Sequence, residues 1–391
     1  MKEKIMVLGA GIYQVPLIKK IKEMGYCCIV TSIPGNYPGF RYADKCYYID
    51  TTEKQKILEI AEQEKISGIV TTGTDVAVTT IGYVCDKLHL SGITEESALH
   101  ATNKAEMKEL FKKNNVRTGD FFRIKTEKEA FVACEKLGYP VMFKCVDKSG
   151  SRGVYKVSRE EDIAQAIKGA FSFTNKKYII VEKYIEGEEI GVDGYYSEAC
   201  QFIVLHKKVD YNNGFANVPI GHIFPYVCEK TLEKDIQIEA IKALKALKLD
   251  RVFFNIDVIV NNGNCYILEI GARAGATCIP ELISLQYDIN YYEKIIKNAL
   301  GDNLTFPRKR MCAAIGELLV SRNSGTIKEI VNLNENNDNI DAIVFDYSVG
   351  EYVNQFCVGP DRIGHIIVHG ENLDEAKKVL RNAKKRISVV V

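Results

Sequence analysis

The sequence predicts an α/β open-sheet domain at the N-terminus, an α+β central part and a small α+β closing region at the C-terminus. Three observations carry this reading. Ile5 to Leu8, the turn Gly9-Ala-Gly11 and a helical run over 12–24 form the strand, glycine turn and helix that open an α/β sheet. A lysine, Lys144, stands inside the apolar run Val141 to Val146, directly before a Gly/Ser-rich turn. Asn255 to Gly275 reads as two apolar strand-like runs about a turn, each run carrying one carboxylate.

Composition narrows the class. A chain of 391 residues, 46% apolar and 26% charged, has the material for two or three packed domains. A net charge of +1 carries no polyanion-binding signature, and no helix-turn-helix or zinc pattern speaks for nucleic acid. No run of 18 apolar residues predicts a membrane span. Met-Lys-Glu-Lys before Ile5 is too short and too soon followed by glycine for a signal peptide. The twelve cysteines are scattered without a C-x2-C pair, and many (Cys145, Cys265, Cys312) lie in apolar runs. A reduced, cytoplasmic setting is expected.

In chain order, the first unit is predicted over 1–95. Strands at 26–31, 45–49 and 68–71 alternate with helices at 53–64 and 76–88, and Ser32 to Arg41 is a Pro/Gly loop. Thr71-Thr-Gly-Thr-Asp75 closes a strand with small polar residues at the end where such sheets bind ligands. A second unit begins near Ser97. Its helices are predicted from Asn103 to Asn114 and from Thr126 to Leu137, the latter with Thr126 as cap and Glu129 three residues on. A helix over 160–170 and strands over 178–185, 190–196 and 201–209 follow. Ile220 to Pro225 is a loop or strand end, and Thr231 to Leu247 is an amphipathic helix. After the central hairpin come helices at 279–286 and 290–299. From Met311 strand-like runs at 312–320, 341–345 and 363–369 alternate with Gly/Asn turns, and a helix covers 373–383.

Candidate site residues stand out by chemistry. A buried carboxylate is costly unless a cation or several donors meet it. Asp257 and Glu269 therefore point to a divalent metal holding phosphate oxygens, with a surface hairpin whose acids face water as the plain alternative. Sharing one metal requires both on one face. A two-residue Asn262-Gly263 turn sets Asp257 opposite Leu268 and splits them; a three-residue loop over 262–264, or an equivalent bulge, sets Asp257 opposite Glu269. The second register is predicted. The turn Ser149-Gly150-Ser151-Arg152-Gly153 can lay backbone N–H groups along phosphates, although it lacks P-loop spacing. Gly9-Ala-Gly11 lacks a third glycine, so a dinucleotide reading is weak. His222, beside Gly221, is either a substrate contact or a surface histidine.

Taken in order, these residues resemble the ATP-grasp superfamily of carboxylate–amine ligases, nearest its L-amino-acid ligase and carbamoyl-phosphate-synthase-like branch. The resemblance implies an ATP-grasp fold with an N-terminal domain over 1–95, a small nucleotide-clamping part over 96–180, a catalytic part over 181–310 and a C-terminal region over 311–391. It implies ATP, with magnesium as the metal and manganese as its alternative. Lys104 and Lys144 would bind phosphates, and Ser149, Gly150, Ser151 and Gly153 would close over them. Glu182, Lys183, Tyr184 and Ile185 would form the adenine connector, and Glu189 would accept the ribose hydroxyls. Asp257 and Glu269 would hold the metal, Arg273 would bind the carboxylate or acyl phosphate, and His222 would belong to the catalytic set.

The implied reaction activates a small carboxylate as an acyl phosphate and joins it to an amine, releasing ADP and phosphate; an amino-acid ligase is one form of it. The alternatives are a purine-pathway carboxylase or formate-using transferase, a nucleotide-dependent oxidoreductase built on Gly9 to Gly11, and a non-catalytic ATP-binding protein. Small carboxylate and amine substrates are the expected partners. Similar enzymes are commonly homodimers. One position departs from the pattern: Gly271 stands where many members carry a metal-binding asparagine.

Overall fold

The computed structural model describes residues 2–148, 150, 152–212, 217–335 and 337–391. Four parallel strands, β1 (Lys4–Leu8), β2 (Cys27–Ser32), β3 (Lys45–Tyr48) and β4 (Gly68–Val70), form a sheet in the order β3-β2-β1-β4. Between them run α1 (Val15–Glu23) and α2 (Lys54–Glu64), and α3 (Val78–Leu88) follows. The run of buried residues along β1 and β2 is what a parallel strand covered on both faces requires. The carboxyl ends of β1 and β4 carry the turns at Gly9 and Thr71, as the sequence predicts.

Two helices come next, α4 (Glu95–Thr102) and α5 (Lys104–Lys113). Helix α4 is set by a capping box in which Thr94 and Ser97 exchange hydrogen bonds. An antiparallel sheet follows in the order β5 (Phe121–Ile124), β8 (Ile179–Lys183), β6 (Val141–Lys144), β7 (Val154–Val157), with α6 (Glu127–Leu137) and α7 (Ile163–Ser172) against it. Ile124, Phe143, Val157, Ile163 and Val181 form a core confined to this segment. Thr126 caps α6 by accepting from Glu129 N, while the Glu129 carboxylate takes Lys125 N at 2.6 Å, one residue before the cap.

The remaining large sheet has eight strands among the described residues: β9 (Glu188–Tyr196), β10 (Gln201–Asn212), β11 (Asn217–Phe224), β12 (Val252–Asn261), β13 (Asn264–Gly271), β14 (Ala313–Leu319), and the later strands Ile340–Phe345 and Gly364–Gly370. The segment Ile220 to Pro225, predicted as loop or strand end, is mostly inside β11. The order β13-β12-β9-β10-β11-β14 continues into the two later strands, so the C-terminal region extends this sheet. Helix α8 (Lys230–Ala246) lies against β13, with Ile236, Ala240 and Leu244 in one core with Ile190, Val192, Ile256 and Ile267. Met6 and Leu8 of β1 belong to that same core. The N-terminal domain and the large sheet are thus packed together, whereas the segment around β5 to β8 keeps a core of its own. Helices α9 (Ile279–Tyr287), α10 (Tyr291–Ala299) and α11 (Leu373–Lys385) complete the layers.

The β12–β13 hairpin has the register that pairs the two acids, but not by the predicted three-residue loop. Asn261 pairs with Asn264, leaving a two-residue turn in which Asn262 (φ 47°) and Gly263 (φ 76°) are both left-handed. A bulge at Leu268 then shifts the register, so Val258 pairs with Ile267 but Asp257 pairs with Glu269.

In the N-terminal sheet, Glu64 ends α2 buried beneath Lys45, Tyr47 and Lys4, which bond its carboxylate. These partners hold the Glu64 carboxyl down at about 2. A carboxyl lowered by folding gives stability that is full above its unfolded range near 4.5 and is lost as pH falls toward 2. Glu64→Gln is expected to lower the thermal midpoint at neutral pH by about 2–4 °C. It should also flatten the acid limb of a stability-versus-pH curve across that window; an unchanged acid limb overturns the assignment.

Candidate active site

Alternation along the strands sorts the large sheet into two faces. Residues paired across a ladder share a face, and the pairs Asp257–Glu269, Asp257–Gly191, Asn255–Asp193 and Lys208–His222 put Glu189, Asp193, His206, Lys208, His222, Asn255, Asp257 and Glu269 on one side. The opposite side carries the apolar residues packed under α8. One polar face therefore faces the cleft between the large sheet, the N-terminal domain and the β5–β8 segment.

Cations meet these acids from three directions. Asn103 caps α5 by accepting from Ala105 N and Glu106 N, which places Lys104 at the first helical position. Lys104 Nζ then reaches Glu269 Oε2 at 2.7 Å and the Lys148 carbonyl at 2.8 Å. In β6, Val141 and Phe143 are buried in the local core, while Met142 and Lys144 point the other way. Lys144 Nζ lies 2.7 Å from Glu182 Oε2, and the other Glu182 oxygen is bonded by Lys108. Lys208, from β10, bridges Asp257 at 2.5 Å and Glu189 at 2.6 Å.

Burial and charge oppose each other here. Burial alone would raise the Glu182 carboxyl, but Lys108 and Lys144 bring it below the usual range. Burial likewise works against Glu269, and Lys104 and Lys144 hold it low. Asp257 goes the other way: burial raises it, Lys208 offsets this only in part, and Glu189 and Glu269 push it up further. Lys108, fully enclosed, is lowered by burial despite Glu182. The face is short of positive charge at Asp257.

Arg273 sits where the large sheet meets the N-terminal domain. Thr72 bridges Ala274, and Gly73 N bonds the Ala274 carbonyl at 3.1 Å. Arg273 meets the Asp75 carboxylate through Nε at 3.0 Å and a terminal nitrogen at 3.1 Å, and donates its other terminal nitrogen to Asn255 Oδ1 at 3.1 Å. Gly271 has a steric reason in this geometry. A Cβ there would fall 2.9 Å from Asp75 Oδ1 and 3.0 Å from Arg273 Cζ. The position that departs from the family pattern is occupied by the Asp75–Arg273 pair.

Other expected positions fall as follows. Ser149 and Ser151 lie outside the described residues. Gly150 (φ 67°) and Gly153 (φ 68°) are left-handed, and Cys145 ties the turn down by bonding the Gly153 and Arg152 carbonyls. In the Glu182 to Ile185 segment the N–H groups of Lys183 and Tyr184 already bond the Asp120 and Pro140 carbonyls, at 2.8 and 3.2 Å. The Lys183 ammonium bonds the Gly138 carbonyl at 3.0 Å. Internal partners thus satisfy those two N–H groups. Glu189 is half-exposed at the rim. His222 is neither a surface residue nor at the rim: it is 3% exposed in β11, bonded to His206. At the first glycine turn, Gln14 fills the space, with its Oε1 accepting from Gly11 N at 2.9 Å and its amide bonded to the Thr72 carbonyl.

Sequence reasoning gave no role to Lys108, Lys208, Asp193, His206 or Asn255. A lysine at alternate spacing from a histidine in β10 was the available signal for Lys208. Among the described residues no three His, Cys, Asp or Glu side chains group at metal-holding distance. Asp257 and Glu269 nonetheless fit one hard divalent cation completed by ligand oxygens, because both face the cleft and Lys208 offsets the charge at Asp257 only in part.

Glu182 pairs with both Lys108 and Lys144, and removing it takes the bonded carboxylate from two buried ammonium groups. Glu182→Ala is expected to cost about 3–5 kcal/mol in chemical denaturation; a loss below about 1 kcal/mol would show that the pairing is not what neutralises these lysines.

Residues 110–297 match the family model "D-ala D-ala ligase C-terminus", and residues 317–391 match "L-amino acid ligase C-terminal domain 2". The carbamoyl phosphate synthase large chain of Clostridium botulinum is 25% identical over 398 residues, which covers 96% of this chain but 35% of that protein. The chain thus spans about a third of the length of such curated relatives. The L-amino acid ligase of Bacillus licheniformis shares the fold at a TM-score of 0.83 and 17% identity, covering 100% of this chain and 98% of that one. The phosphoribosylglycinamide synthetase of Anaerococcus prevotii superposes at a TM-score of 0.86. Its 31% identity runs through 100% of both chains, and with it this chain belongs to the ATP-grasp superfamily of carboxylate–amine ligases.

Proposed function

We propose that the chain activates a small carboxylate with ATP and joins it to an amine. The observation that carries this reading is the convergence of Lys104, Lys144, Lys208 and Arg273 on one face that also presents Asp257 and Glu269. Each of these cations is held by a carboxylate, and cations that can exchange a carboxylate for a phosphate suit a triphosphate beside a carboxylate.

In this proposal the lysines exchange partners. Lys104 and Lys208, now held by Glu269 and Asp257, turn to phosphate oxygens. Lys144, kept charged by Glu182, holds its place at the end of β6. The vacated Asp257 and Glu269 hold magnesium, or manganese, which supplies charge neutralisation at the terminal phosphates. The β5–β8 segment, with its separate core and its Gly150 and Gly153 turn, closes over the nucleotide, and Glu189 at the rim takes the ribose. A carboxylate oxygen of the substrate bonds to the terminal phosphorus and the bond to ADP breaks. Arg273 stabilises the acyl phosphate with its two-pronged fork. The amine nitrogen then bonds to the acyl carbon, the carbon–oxygen bond to phosphate breaks, and the nitrogen loses a proton. The scatter of the twelve cysteines, several of them inside apolar strands, supports a reducing, cytoplasmic setting.

The likeness to L-amino acid ligase supports amino acids as both substrates. The higher identity to phosphoribosylglycinamide synthetase supports a second reading, in which glycine is the acid and a phosphorylated sugar amine the acceptor. Gln14 over the first glycine turn weighs against the dinucleotide oxidoreductase.

Phosphate and ADP release from ATP and magnesium, measured across amino acids, small carboxylates and sugar amines, tests the proposal. Release is expected to require a carboxylate, and an amide is expected when an amine is added. Glu269→Gln and Lys208→Met are each expected to lower kcat by roughly 100-fold. ADP release that no carboxylate stimulates, or full ligation by Glu269→Gln, would sink it.

A further inference from the structure

Behind Arg273 lies a buried polar chain that the reaction does not itself require. His206 Nε2 lies 2.8 Å from Asp193 Oδ2, and Asn255 Nδ2 donates to that same oxygen at 2.8 Å. His222 Nδ1 lies 3.1 Å from His206 Nδ1. Asn255 Oδ1 in turn accepts from Arg273 at 3.1 Å. Asp193 and His206 are 0% exposed, and His222 3%. Polar groups buried this deeply cost stability unless their bonds serve a purpose.

We propose that Asp193 is a positioning residue for Arg273, acting through Asn255 and held by His206 and His222. Its consequence for catalysis rests on the ligase reading. The argument is one of donors and acceptors. An ionised carboxylate only accepts, so Asn255 must turn its NH2 toward Asp193. Its carbonyl oxygen is thereby turned toward Arg273, whose guanidinium only donates. His206 donates its Nε2–H to Asp193, and His206 Nδ1 and His222 Nδ1 share one proton between them. Burial, with the Lys208 ammonium nearby, holds His222 neutral. Both Asn255 bonds thus have one direction, set by the Asp193 carboxylate.

Space has been cleared for the chain. A Cβ at Gly191 would lie 2.0 Å from the His206 ring, and one at Gly275 would lie 2.7 Å from Asp193 Oδ1. The backbone just after Arg273 therefore runs against Asp193. On the other side Asp75 grips the guanidinium in the room left by Gly271. Arg273 is fixed from both sides before any ligand arrives, so its fork is preorganised and does not collapse onto Asp257.

Two measurements test this on the full chain. The first reads the Arg273 Nε–Hε signal by 15N NMR, assigned with Arg273→Lys, and needs no turnover. Asp193→Asn keeps the shape and removes the charge; it is expected to raise Arg273 side-chain mobility clearly above that of wild type. The second is kinetic. Asp193→Asn is expected to lower kcat for carboxylate-dependent ADP release roughly tenfold, with KM for ATP within about twofold. In an Arg273→Lys background the same substitution should change the rate by less than about twofold. Asn255→Leu breaks the link without touching a charge, and its effects should match if Asp193→Asn does not fold. An unchanged Arg273 signal in whichever of the two variants folds, or additive losses in the double variant, overturns the positioning role. A mobile Arg273 in a variant of a protein that never turns over a carboxylate supports the positioning role and sinks the ligase reading alone.

Discussion

The constraint on which the site depends is charge balance on one buried sheet face. Strand alternation brings Asp193, Asp257 and Glu269 into a setting where water screens them poorly, Asp193 least of all. Each must have a partner. Glu269 has Lys104, Asp257 has Lys208, and Asp193 has His206 and Asn255. Much of the local sequence follows from fitting those partners in. Glycines stand at 191, 271 and 275 because a Cβ there would strike His206, Asp75 or Asp193. The bulge at Leu268, between the turn and the acids, brings both metal-type acids to the cleft.

The same balance ties together parts with separate cores. Lys144 and Glu182 stand on the small sheet, one face of which packs into a core of its own. Lys104 opens a helix beside that sheet yet pairs with Glu269 on the large one. Asp75 reaches Arg273 from the N-terminal domain. Contacts across the cleft are therefore electrostatic, and those beneath it are apolar. Ion pairs of this kind can exchange a carboxylate for a phosphate at modest net cost, whereas the shared core under α8 cannot be opened without losing hydrophobic burial. A rigid base under a cleft of exchangeable charges suits binding of a polyanionic ligand.

Arg273 shows how a departure at one position is absorbed at another. Gly271 removes a side chain from the acid-bearing strand, and the room is taken by Asp75. Asn255, two residues before Asp257, faces Gly271 across the ladder and supplies the amide that bonds Arg273. The result is a guanidinium held between a carboxylate and a carbonyl, with the charge behind the carbonyl supplied by Asp193. This is a preorganised cation, in contrast to the lysines, whose flexible stems let them change partners.

The sequence by itself determined the alternation of elements, the in-strand Lys144, the paired acids and the chain order that carries the family resemblance. These are local facts: period, turn residues and a charge where apolar residues are expected. It also showed that Asp257 and Glu269 need one face, but the turn type alone argued against it, and a bulge reconciles the two. Only the tertiary structure decided which cation meets which acid. Lys208, Lys108 and the Asp193–His206–His222 chain were illegible for that reason, since a lone His or Lys in a strand does not reveal what lies across two ladders. His222 is the plainest case. Its neighbours in sequence suggest a loop or strand end and either a substrate contact or a surface ring, but the long β10–β11 pairing carries it into the sheet and sets it against His206, sixteen residues away. Which residues touch across a sheet depends on register, and register is set by the whole ladder together with the core beneath it.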